Sequence, residues 1–268
     1  QAFVVLGKNI HIGQTTLPAV WGEPLAVKLN KDQLLALAWV QMRYGVNPDY
    51  LLAIAAKESR LNCQVNSDGC FQIEPGGFTG LIEAFPQHLK GASHELVQNF
   101  GTGSVASALH LKQSYNLFQT WFNFKSFTKH AADREATAKI LARAYNRGAW
   151  DQNIRDILTT RRADCRDRVD LTSCYNEHVI ARDHTNAVVS YCRAFTNAPS
   201  ANPTIVWSDV DKLISSVIKP TEVGEYNWVK IIQRAKRQFN RQRGRGQTVA
   251  FTRIVPVLKE IKIQLLRF

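Results

Sequence analysis

The chain has 268 residues and a formal net charge of +12, from 34 Lys and Arg against 22 Asp and Glu. With 45% hydrophobic and 21% charged residues it can bury a sizeable core, which excludes a disordered chain, and its 15 Gly and 9 Pro exclude collagen-like and low-complexity chains. A basic excess of this size attracts polyanions, so nucleic acid, an anionic membrane surface, an acidic wall polymer or merely a solvated basic face are all admissible.

In chain order, residues 1–29 carry Gly, Pro and β-branched residues without a helical period, and residues 3–6 read as a short strand. We take 1–29 as an N-terminal arm or small cap. From Lys31 the apolar residues Leu34, Leu35, Leu37, Ala38 and Val40 recur at helical spacing, and Gly45 should end that helix. Asn47-Pro48 is an N-cap followed by Pro at the first helical position. The helix it opens is apolar nearly all round (Leu51, Leu52, Ile54, Ala55, Ala56) and should be central and buried. A polar loop over 62–77 follows. Helical segments are predicted at 78–85, 93–115, 118–128, 133–145 (with Asp133 as cap and Gly148 just past the end), 151–160 and 175–195. Residues 196–206 read as a linker. Beyond it, 207–219 and 226–240 are plausibly helical, 244–246 is a turn, and 249–266 is ambiguous between strand and helix. The segment 200–268 holds 13 Lys and Arg against 5 Asp and Glu, so most of the net charge sits in this tail. No run of about 18 apolar residues is present, so no transmembrane helix is expected. The chain opens on Gln1, which fits either a removed leader or a boundary within a longer protein.

Five cysteines stand at 63, 70, 165, 174 and 192. Cys63 and Cys70 flank a short polar stretch and could clip it. Cys165, Cys174 and Cys192 form a second cluster, from which one pair, taken as Cys165 and Cys174, and one leftover thiol would arise. Two disulfides would fit an oxidising compartment; five reduced thiols remain the alternative. There is no C-x-x-C and no H-E-x-x-H, so no metal site is expected.

The residue with the clearest chemical promise is Glu58, in Ala55-Ala56-Lys57-Glu58-Ser59-Arg60 at the C-terminal end of the apolar helix. Partial desolvation and the nearby carbonyl end both favour the protonated carboxyl, as a general acid requires. Taken alone this is weak, because a Glu at a helix end is commonly solvated or paired, and Lys57 and Arg60 are at hand. Two further stretches give it context: Gly69-Cys70-Phe71-Gln72-Ile73-Glu74-Pro75, and Ala144-Tyr145-Asn146-Arg147-Gly148.

These three ordered stretches resemble the motifs of the lytic transglycosylases and goose-type lysozymes, members of the lysozyme-like superfamily. The resemblance covers about residues 31–160. It implies a mainly α, lysozyme-like helical domain, which we place at 30–195, with the arm before it and a small basic module at 196–268 after it. It implies cleavage of the β-1,4 bond between N-acetylmuramic acid and N-acetylglucosamine in peptidoglycan, leaving 1,6-anhydro ends. Glu58 would be the sole acid and then base. Ser59, Gln72, Tyr145 and Asn146 would position it and the substrate, and no metal or organic cofactor would be needed. Glycan strands are then the expected partner and the periplasm or cell exterior the expected compartment. The basic tail would meet an anionic envelope surface or an acidic partner protein, rather than nucleic acid, for which no signature is present.

The sequence also departs from that pattern. The loop after Glu58 is shorter, Cys70-Phe71 replaces Leu-Met, and Arg147 replaces Ala. Asp68 and Glu74 remain candidates for a second carboxylate, which would favour a hydrolase on a chitin-like polymer. Trp150 is a candidate sugar platform, while Tyr115, Phe118, Trp121, Phe122, Phe124 and Phe127 fit core packing better than a cleft wall. A lysozyme-like domain that binds glycan without cleaving it, as a structural part of an envelope assembly, is the non-enzymatic reading.

Overall fold

The computed structural model describes residues 15–17, 24–89, 91–122, 131–156, 183–198, 204–205, 237 and 249–250. These residues are mainly helical. Strands β1 (Thr15–Leu17) and β2 (Leu25–Val27) pair antiparallel, with Thr16 opposite Ala26. Leu17 and Val27 are buried in the main hydrophobic core, so this part of the N-terminal region packs onto the helical body.

Helix α1 (Lys31–Tyr44) starts where the sequence predicts. The Asn30 side chain accepts from Gln33 N, while the Gln33 side chain accepts from Asn30 N, a reciprocal capping box. It ends at Gly45, whose φ of 73° is the left-handed conformation that glycine adopts without a Cβ penalty. Helix α2 (Pro48–Ser59) opens on Asn47, whose Oδ1 accepts from the amides of Asp49 and Tyr50. All of Pro48 to Ala56 is buried, so α2 is the central helix its all-round apolar sequence predicts. Tyr50 donates to the Ala138 carbonyl at 2.6 Å and ties α2 to a helix far along the chain.

Helix α3 (Pro75–Ala84) begins at Pro75, three residues before the predicted start, because Pro fits the first helical turn where its missing N–H costs nothing. Helix α4 (Pro86–Leu89) and a 3₁₀ turn (His94–Gln98) follow. Helix α5 (Phe100–Phe122) overturns two expectations. The helix predicted from 93 starts only after Asn99, whose side chain accepts from Gly101 N and ends the 3₁₀ turn. The predicted break between 115 and 118 is absent, because the buried stripe of Val105, Leu109 and Leu111 continues to a fully buried Phe118. Helix α6 (Ala131–Arg147) starts two residues before Asp133, so Asp133 lies in its first turn rather than at the cap; Ala131 and Ala132 are strong helix formers that extend it. Gly148 follows at φ 85°. Asp151 caps α7 (Gln152–Asp156) through its Oδ1 and Ile154 N, and accepts from Arg143 of α6 at 3.0 Å.

Helix α8 (Asp183–Thr196) lays Ala187, Val188, Tyr191, Cys192 and Phe195 against the core and packs along α2. Short strands β3 (Thr204–Ile205) and β4 (Val249–Ala250) pair antiparallel. The expectations for residues 3–6, 123–130, 157–182, 207–219, 226–236 and 251–266, including Cys165, Cys174, Phe124 and Phe127, lie outside the described residues, as does nearly all of the basic tail. No described helix is long and apolar enough to cross a membrane.

Candidate active site

The site is built around the C-terminal end of α2. There the chain turns out of the helix through two consecutive left-handed residues, Arg60 (φ 55°) and Leu61 (φ 63°), whose amides return to Ala56 O and Ala55 O. Ser59 is buried in this turn, and its hydroxyl lies within hydrogen-bond distance of Ala55 O (3.1 Å) and Cys70 O (2.8 Å). It therefore ties the helix end to the following loop, not to the pocket.

That loop is held by several cross-links. Cys63 and Cys70 are joined by a disulfide. Gly69 sits at φ 68° with its α-carbon so near the 3₁₀ turn that a Cβ would come within 2.2 Å of Val97 O. Only glycine meets both conditions. Asn66 and Gln72 pair their side-chain amides reciprocally at 2.8 and 3.0 Å, and Gln72 Nε2 also donates to Gly69 O. Gln72 itself has φ 51°, a left-handed conformation uncommon for a residue with a side chain. The His94 Nε2–H donates to Ile73 O at 2.6 Å, and that nitrogen lies 3.5 Å from Asp68 Oδ1.

The second anchor comes from α6. The Tyr145 hydroxyl donates to Phe71 O at 2.7 Å, which fastens the end of α6 to the Gln72 loop. Burial holds this phenol well above its usual range, and the charge of Glu58 adds to that. It stays a protonated donor at all ordinary pH. The His110 ring, on α5, lies 4.9 Å from the Tyr145 ring, and burial lowers its pKa to about 4, so it is neutral near pH 7.

Between these anchors opens a pocket of about 560 Å³, lined by Glu58, Gln72, Ile73, Glu74, Gly77, Leu81, His110, Tyr145, Asn146, Arg147 and Gly148. This is an ordinary size for a ligand cleft. The Glu58 carboxyl is 15% exposed, and its Oε1 lies 2.7 Å from Nε2 of His184, in the first turn of α8. The three sequence motifs thus converge on one cavity. Of the residues singled out in the sequence, Glu58, Gln72, Glu74, Tyr145 and Asn146 line it. Ser59 supports it from behind, and Asp68 faces the His94 side of the loop. Trp150 is 65% exposed and is not part of the lining. Phe118 is core, as expected, and Tyr115 packs partly buried against it.

Two site residues carry no local sequence signal: His110, on the inner face of a long helix, and His184, 126 residues from its partner. The only signal available was chemical type, histidine being a side chain suited to acid–base and hydrogen-bonding roles. Among the described residues no group of three His, Cys, Asp or Glu could hold a metal ion.

No family model matches the sequence, and no curated protein matches it. Among solved structures, the chain is similar to a crystal structure of an archaeal chitinase in its ligand-free form, at a TM-score of 0.75 and 17% identity. The match covers 94% of this chain and 62% of that one, so the chain spans less than two thirds of the chitinase's length. At this identity the two share a fold.

Proposed function

We propose that the protein is a glycosidase that cleaves β-1,4 bonds in a polymer of N-acetylated sugars, with Glu58 as the proton donor to the leaving oxygen. The observation that carries this reading is a part-buried carboxyl in an open pocket that is also lined by Gln72, Tyr145 and Asn146 from the two other motifs. A positioned proton donor at the bond and a second carboxyl near it are the parts that glycoside hydrolysis commonly uses. The fold shared with a chitinase supports a chitin-like substrate. Glu74 lines the same pocket, which supports hydrolysis: Glu58 protonates the glycosidic oxygen, and Glu74 takes a proton from the attacking water. The Cys63–Cys70 bond supports a periplasmic or extracellular setting.

A second reading is favoured by the motifs themselves. In a peptidoglycan lytic transglycosylase, Glu58 would act alone, first as acid and then as base toward the substrate's own C6 hydroxyl. The product end separates the two. Chitin oligosaccharides and purified peptidoglycan should be digested with the wild type and with Glu58→Gln, and the products weighed by mass spectrometry. New reducing ends that vanish in the variant are expected for the hydrolase. 1,6-Anhydro ends would install the transglycosylase instead. Binding to either polymer without product would leave the non-catalytic domain and overturn both.

A further inference from the structure

Building on the glycosidase reading, we propose that His184 is a positioning residue for the reaction: it holds Oε1 of Glu58 so that the other carboxyl oxygen, Oε2, delivers the proton to the substrate. Neither the Glu58 motif nor the two motifs that join it includes this histidine, which arrives from α8. The contact is 2.7 Å, and both side chains are largely withdrawn from water, at 17% exposure for His184 and 15% for Glu58. Shielding makes such a bond hold its geometry better than a surface pair does.

The bond has a defined direction. A carboxylate oxygen only accepts, so Nε2 of His184 donates to Oε1, and an imidazole with its proton on Nε2 leaves Nδ1 as a bare acceptor. Nδ1 is buried with no partner among the described residues, so this tautomer buries no orphan N–H. With Oε1 occupied as acceptor, Oε2 is the oxygen left to carry a proton to the substrate. A glutamate has three side-chain torsions, and the last turn of α2 does not fix them. The histidine supplies what the helix lacks.

The position of His184 is itself determined at a distance. α8 runs antiparallel to α2 along a buried face of Ala187, Val188, Tyr191 and Cys192. At the far end the Thr196 hydroxyl donates to Asp49 Oδ2 at 3.0 Å. The two helices are thus tied at both ends, by Asp49–Thr196 and by Glu58–His184. Their register brings the imidazole to the carboxyl.

The test is a comparison of kcat and KM on chitin oligosaccharides and on peptidoglycan fragments, whichever the wild type cleaves, for His184→Ala, His184→Gln and Glu58→Gln. Misplacing a catalytic group by about 1 Å costs on the order of 10²-fold, so His184→Ala should lower kcat by about that factor and leave KM within about twofold. His184→Gln presents an amide N–H with similar reach and should recover most of the loss. Should His184→Ala fail to fold by circular dichroism, His184→Asn, polar but too short to reach Oε1, carries the same comparison. Wild-type kcat in the Ala or Asn variant, with Glu58→Gln inactive, overturns the proposal and leaves the glycosidase reading standing. Equal losses in the Gln and Ala variants, with KM raised in both, also overturn it, since they indicate a structural role. Turnover by Glu58→Gln removes the reading on which it rests.

Discussion

Helix α2 carries an acid at each end, and the two are held by the same neighbouring helix. Asp49 meets Thr196 and Glu58 meets His184. Asp49 is fully buried, and burial raises its pKa from 3.8 to about 7 against a smaller opposing pull from Thr196. By perturbation alone it would rank as the better candidate for catalysis. It does not line the pocket, however, and its Oδ1 has no partner among the described residues. Glu58 is less deeply set but opens onto the pocket. A carboxyl becomes a catalyst by access to substrate as much as by its environment; perturbation alone marks a buried group.

The comparison can be broken by exchanging the two losses. Glu58→Gln should reduce turnover by about 10³-fold while leaving thermal unfolding nearly unchanged, because positioned acid–base catalysis contributes on that order. Asp49→Asn should do the reverse. The native pKa near 7 lies above the unfolded value of 3.8, so between these pH values the native state holds a proton that the unfolded chain has released. The Asp49 contribution to stability is therefore greatest below about pH 4, falls as pH rises toward 7, and levels off above it; the upper bound on this loss is on the order of 4 kcal/mol. His110 and His88 act in the opposite direction. Burial lowers both to about 4, so their contribution is present above pH 6.5 and is lost as pH falls through 4. In the wild type the slopes oppose. Asp49→Asn should remove the opposing slope, so stability in urea melts should rise more steeply from pH 4 to 6.5 than in the wild type. A pH profile unchanged in the variant would show that Asp49 contributes no such slope.

A third change sharpens the contrast between helix and loop. Gly69→Ala forces a left-handed alanine and drives its Cβ against Val97 O. The left-handed conformation costs about 1–2 kcal/mol and the clash adds a similar amount, so a loss of about 3 kcal/mol is expected by denaturant melts. The same substitution at Gly76, which has nothing within 4 Å, should be close to neutral.

What the sequence revealed follows the same division. α1 and α2 were legible to the residue at their starts, because the apolar pattern sets in at Lys31, Asn47 caps through amides two and three positions on, and Pro48 has its φ preset for the first turn. The convergence of Glu58, Gln72, Tyr145 and Asn146 was legible because each lies in a short motif. α5 was misread as two pieces, because the buried stripe that carries it through to Phe118 is a tertiary fact. His184 was invisible for a related reason. Its place at Glu58 depends on how α8 registers against α2, a tertiary fact that no local spacing encodes.

The smallest effect concerns the loop clip. Opening a disulfide that spans a separation of seven residues should cost about 2 kcal/mol, because the closed loop is short and little chain entropy is at stake. Cys63→Ser with Cys70→Ser should therefore fold. The two sides of the pocket should then respond differently. Glu58 is held by His184 and the helix, neither of which the disulfide touches. Gln72 is held by the loop, through Asn66 and Gly69, and its left-handed backbone persists only while the surroundings enforce it. Loss of the clip should thus raise KM several-fold and change kcat little, and reductant should reproduce this in the wild type. A fall in kcat at constant KM would mean that the disulfide, through Ser59 and the Cys70 carbonyl, also fixes the end of α2.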